Sequence, residues 1–156
     1  MLTTEPSYSN STSAQPWSLL SITLISFLLP AGGAILTVHN LQRLRQIDQR
    51  RVRVLSTAIV VIFAAGLATL MLVTPIGKDG LPHLDPLVQM VLAAGIPLAC
   101  YLAQRQPYIA WRVGHPNQRP NPWFRAFLSA IWYEAWVLAA SIGAFLVLSS
   151  IFPAAG

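Results

Sequence analysis

The chain has 156 residues, of which 54% are hydrophobic and 10% charged, with 10 Lys and Arg against 5 Asp and Glu. A soluble domain of this length carries roughly a quarter charged residues, so the chain is too poor in charge to cover a compact globule in water, and a mean hydropathy of +0.56 agrees. The net charge of +5 sits in short connections between apolar runs, which points to an anionic lipid surface and away from nucleic acid.

Residues 1–16 are polar, rich in Ser and Thr, and carry no Lys or Arg. They lack the positive start of a secretory signal and read as a disordered tail. A bilayer core of about 30 Å takes about 20 apolar residues in a helix. Four runs meet or approach that length: residues 17–38, 54–76, 86–103 and 126–152. The third is short and contains Gln89 and Pro97; the fourth contains Glu134. The expected fold is all-α, an antiparallel four-helix bundle integral to the membrane over residues 17–156.

Local signals mark the helix starts. Asp85-Pro86 and Asn121-Pro122 each place a capping acceptor before a proline at the first helical position. Asp48 can cap the second helix from inside the preceding connection. Gly77 and Asp79-Gly80 supply a turn after the second run. Residues 107–113, between Pro107 and Gly114, read either as two helical turns at the headgroup boundary or as irregular loop.

The connection over residues 39–53 carries five Arg and one Asp, and that over residues 104–125 carries four Arg and no acid. Four crossings place both on one side, which the excess of positive charge makes cytoplasmic. The expected location is therefore the cell membrane, multi-pass, with both termini on the non-cytoplasmic face. Trp17 would mark the outer start of the first run. Tyr101, Trp123, Trp132, Tyr133 and Trp136 gather near the inner ends of the third and fourth, as interfacial aromatics do.

Glu134 is the sharpest candidate for chemistry. If the fourth helix enters lipid at Ala126, Glu134 lies about 12 Å deep, where an acid is a proton- or cation-site candidate. The preferred alternative starts the apolar core at Ala135 and leaves Glu134 at the boundary, paired with an Arg. His39 and His115 share one side, so haem or metal ligation is conceivable, although solvated interfacial histidines are the simpler reading. His83 is on the other side. Arg43, Arg45, Arg50, Arg51, Arg53, Arg105, Arg112, Arg119 and Arg125 suit anionic headgroups, each contributing about 1 kcal/mol near such a surface, or serve topology alone. Gly32 and Gly33 follow Pro30, expected to kink the first helix. Gly95 with Ala99, and Ala135 with Ala139 and Gly143, recur every four residues. These small residues suit close packing, within the bundle or against a larger complex. The single cysteine, Cys100, lies in an apolar run and reads as packing. No catalytic or cofactor-binding pattern is present.

The stretch PAGGAILTVHNLQRL, carried by Gly32, Gly33, Asn40, Arg43 and Leu44, resembles one in small bacterial membrane proteins of four helices with no assigned activity. QRQPYIAWRVGHP is similar too. The resemblance implies a four-helix membrane protein and supplies no site. The expectation is a non-catalytic accessory or structural subunit without a cofactor, packing against lipid, other membrane subunits or its own copies. The alternatives are a small proton- or cation-coupled transporter using Glu134, and a membrane enzyme acting on lipid headgroups.

Overall fold

The computed structural model describes residues 15–73 and 86–151. The turn signals at Gly77 and Asp79-Gly80, the Asp85 cap, His83, and residues 1–14 of the expected tail lie outside them. Among the described residues five helices form: α1 Leu19–Leu28, α2 Pro30–Arg43, α3 Gln49–Val73, α4 Pro86–Gly114 and α5 Trp123–Ile151. Two of them, α3 and α5, are long and apolar enough to cross a membrane.

The first apolar run corrects the expectation. It is two helices, α1 and α2, folded back on each other. Pro30 has no N–H to give Ser26 and its ring collides with that carbonyl, so α1 cannot continue through it. Leu29, extended at φ −132° and ψ 79°, is the single residue between the helices. Pro30 then opens α2 at its first position, where no N–H is needed. Glycine makes the reversal close: a Cβ on Gly33 would strike the Ser26 backbone. At the open end, the Trp17 N–H donates to Asn40 Oδ1 at 2.8 Å. Residues 17 and 40 therefore meet, where a continuous span would hold them a bilayer apart.

The same contact relocates the start of the chain. Asn121 donates its N–H to the Pro16 carbonyl at 2.9 Å and its side-chain amide to the Gln15 carbonyl. Arg43 Nη1 reaches that carbonyl at 2.9 Å. Gln15–Trp17 thus lies beside both arginine-rich connections, and Pro16 and Trp17 are buried. Trp17 lies at the arginine-rich end, beneath Arg43, and not opposite it, and α5 carries the chain away from this end towards Ile151. Asn121 is engaged with the first segment through its side chain, in place of the expected cap.

Helix α3 starts where its cap predicts. Asp48 Oδ1 accepts the Arg51 N–H at 2.7 Å. α4 starts at Pro86 and runs through Gln104 and Pro107 to Gly114, so residues 107–113 continue the third helix and do not form a separate element. Helix α2 is central and packs against α1, α3, α4 and α5. One face joins Trp17, Ile22, Ile25, Ala126 and Ala130 around Leu36; the other sets Ala31 and Ile35 against Val137, Ile59 and Phe63. Among the described residues the exterior carries many large apolar side chains, with Leu24, Phe27, Ile62, Leu98, Trp132, Trp136, Ile142 and Leu146 each more than half exposed.

Candidate functional site

The hairpin carries polar groups at both ends, and each end has a clasp. At the tip, α2 begins deep in the bundle with its first N–H groups unpaired, as every helix start does. Glu134 on α5 resolves one: its Oε2 accepts the Gly32 N–H at 2.7 Å. The approach needs glycine, because a Cβ on Gly32 would strike the Ala130 carbonyl one turn before Glu134. The partial positive charge of a helix start suits a carboxylate. Glu134 therefore has a partner that neither sequence reading named: a backbone N–H in place of an arginine, about 16 Å along α5 from Trp123 by helical rise.

At the open end, α2 and α4 share one buried amide pair. Asn40 Nδ2 donates to Gln104 Oε1 at 2.6 Å. Gln104 Nε2 donates to Thr37 Oγ1 and to the Cys100 carbonyl, both at 3.0 Å, and Thr37 Oγ1 donates to the Gly33 carbonyl at 3.0 Å. Asn40 and Gln104 are fully buried. Every one of these side-chain groups has a partner, which is what makes burial of two amides tolerable. Sequence reading missed Gln104 and Thr37. Gln104 follows the apolar run and counted as the start of a connection. Only the folded-back α1–α2 pair places a buried acceptor opposite it.

Above this clasp, Arg43 lies 3.7 Å over the Trp17 ring. His39 stacks on Tyr133 with ring centroids 5.6 Å apart, and the Tyr133 hydroxyl is 3.2 Å from His39 Nε2. Burial, and secondarily the Arg43 charge, push the His39 imidazole below its ordinary range. His115 is engaged elsewhere: it stacks on Trp111 and its Nδ1 donates to the Trp111 carbonyl at 3.0 Å. The two histidines have separate partners, and among the described residues no group of three or more His, Cys, Asp or Glu could hold a metal.

The arginines gather at this one end. Arg45, Arg50, Arg51, Arg53, Arg105, Arg112, Arg119 and Arg125 are exposed, and Arg112 donates to the Gln118 carbonyl at 2.6 Å. Arg45 ends α2 in an unusual way. Its N–H bonds the Gln42 carbonyl at 2.8 Å and the Gln46 N–H bonds the Leu41 carbonyl at 2.9 Å. That pair is a Schellman closure, yet the residue at φ 57° is Arg45, where glycine is usual.

The small residues divide. Gly32 and Gly33 are buried at helix contacts, whereas Gly95, Ala99, Ala135, Ala139 and Gly143 are exposed. A Cβ on Gly95 or Gly143 would meet no atom. Cys100 is buried and free. Compared with protein-family models, curated proteins and solved structures, the chain finds no match.

Proposed function

We propose that the protein is a non-catalytic membrane subunit with three full crossings and one re-entrant helical hairpin, which seats a helix of another membrane protein against α5. By helical rise, α3, α4 and α5 measure about 37, 43 and 43 Å, more than the hydrocarbon thickness of about 30 Å; α1 and α2, at about 15 and 21 Å, cannot cross alone. Only 11% of the apolar window of α3 and of α5 is buried within the molecule, so neither is the core helix of a soluble domain. Lipid suits what remains uncovered. The arginine-rich end faces the cytoplasm by the charge rule, which brings Gln15 there as well and leaves Ile151 on the far side.

The observation that carries the docking role is the outward stripe Ala135, Ala139 and Gly143. Helices associate in lipid by close approach over small residues, and this stripe is exposed, with open space at Gly143. The competing uses of Glu134 and the histidines fare less well. The Glu134 carboxylate faces the positive end of α2, an arrangement that does not attract a cation, and His39 and His115 do not converge on one centre.

A photo-crosslinking residue at Ala139, in cells that make the protein, tests the role. A discrete protein adduct is expected, abolished by Gly143→Ile and not reproduced from exposed Met71 on α3. Adducts with lipid alone, or a protein adduct indifferent to Gly143→Ile, would refute it.

A further inference from the structure

The end of α2 and the end of α4 enclose a pocket of ≈ 270 Å³ lined by Arg43, Leu44, Arg45, Gln46, Pro107, Ala110, Trp111 and His115. We infer that this pocket binds a phosphate-bearing anion, at the level where lipid headgroups meet the arginine-rich end of the molecule. The volume lies just under the roughly 300–1,000 Å³ of drug-sized sites, and suits one headgroup.

Three features converge. The lining includes two guanidiniums, an imidazole and an amide, and no carboxylate. The nearest acid in sequence, Asp48, lines an adjoining concavity that shares Arg45 and Gln46 with the pocket, and it is engaged by the Arg51 N–H. Two helices end here, and helix ends repel anions through unpaired carbonyls. Four of those carbonyls are answered: those of Leu41 and Gln42 by the Schellman bonds, that of Asn40 by the Leu44 N–H, and that of Trp111 by His115 Nδ1. The third feature is Arg45. A left-handed residue with a side chain is strained, and strain of that kind concentrates at ligand clamps. Glycine would close the same turn without strain, so the feature the turn retains is the guanidinium. Arg43 is already oriented by the Trp17 ring and the Gln15 carbonyl, and His115 lines the same pocket. Planar guanidinium forks match phosphate oxygens.

A rival explanation assigns Arg45 to the negative end of α2, where any cation helps. The two differ in sign for one variant. The full chain in non-ionic detergent is unfolded thermally with added dioleoyl phosphatidylglycerol, dioleoyl phosphatidylcholine or inorganic phosphate. Phosphatidylglycerol is expected to raise Tm saturably and phosphatidylcholine to do so far less. Arg45→Gly is expected to raise the lipid-free Tm while weakening the phosphatidylglycerol response about fivefold, the equivalent of one basic residue near an anionic surface. Arg53→Gln, an exposed arginine outside the pocket, is expected to leave that response within twofold. His115→Gln supplies a second pocket variant that does not touch the turn. Protection by inorganic phosphate identifies a soluble phosphate as the ligand, and protection by the lipid alone identifies the headgroup; either supports the site. A response that Arg45→Gly and Arg53→Gln weaken equally, an Arg45→Gly protein less stable without lipid, or no response to either phosphate source overturns it.

Discussion

Glu134 shows how one side chain is decided by a partner that is invisible along the chain. In sequence it is an acid in an apolar run, and depth alone suggests proton or cation chemistry. In the folded molecule it accepts the Gly32 N–H at 2.7 Å, a bond to a helix start whose own helix offers no acceptor. If that bond is its role, an uncharged acceptor should serve nearly as well. Glu134→Gln is therefore expected to cost less than about 1 kcal/mol, and Glu134→Ala about 1–2 kcal/mol, the range for a buried donor left unpaired or an interhelical bond lost in lipid. Unfolding in mixed micelles by added dodecyl sulfate measures both. A Gln variant as unstable as the Ala variant would show that the charge itself matters and would return Glu134 to the transport reading. Asn40 and Gln104 follow the same logic: both are amides at the margins of apolar runs, and their burial depends on α1 and α2 being antiparallel.

At the scale of elements, the decisive signals were present but admitted two geometries. Pro30 predicts an interruption, and interruption within 22 apolar residues can mean a kink in one crossing or a reversal. The choice rests on Gly32 and Gly33, which remove the Cβ atoms that would hold α2 away from α5 and α1. Gly33→Ala is expected to cost about 1–3 kcal/mol, because the obstacle is Ser26 backbone, which yields only if α1 moves. Gly66→Ala on α3 is the internal comparison. It faces open space, so alanine's better helix propensity should leave it neutral or up to about 1 kcal/mol more stable. Equal effects at the two sites in the same micelle assay would contradict the hairpin. The other helices were legible for simpler reasons: Asp48 caps α3 and Pro86 opens α4, both local. α4 was cut short at residue 103 because Gln104 and Arg105 look like a connection, and the helix continues past them because Gln104 is satisfied internally.

For the whole molecule, the proposed reading takes the number of crossings from four to three, and with it the side on which the segment before α1 would lie. With four crossings, the segment before α1 lies opposite the arginines. With a hairpin and three, it lies among them, as the Gln15 carbonyl contacts to Arg43 and Asn121 require. The basic connections share a face in both schemes, so the charge rule could not separate them; it fixes orientation and is blind to an even number of helices that return on themselves. Single cysteines at exposed Gln15, Arg50, Arg119 and Ser150 can separate them, read with a membrane-impermeant maleimide on intact cells and on inverted vesicles, with buried Cys100 replaced by Ser. Gln15, Arg50 and Arg119 are expected to label together from the cytoplasmic side and Ser150 from the other. If Gln15 labels with Ser150, residues 17–38 cross the bilayer, Trp17 and Asn40 are a membrane apart, and the Asn40–Gln104 clasp loses its Trp17 contact. The labelling of one residue thus decides between a plain bundle and a bundle built around a helix that starts in mid-membrane on a carboxylate.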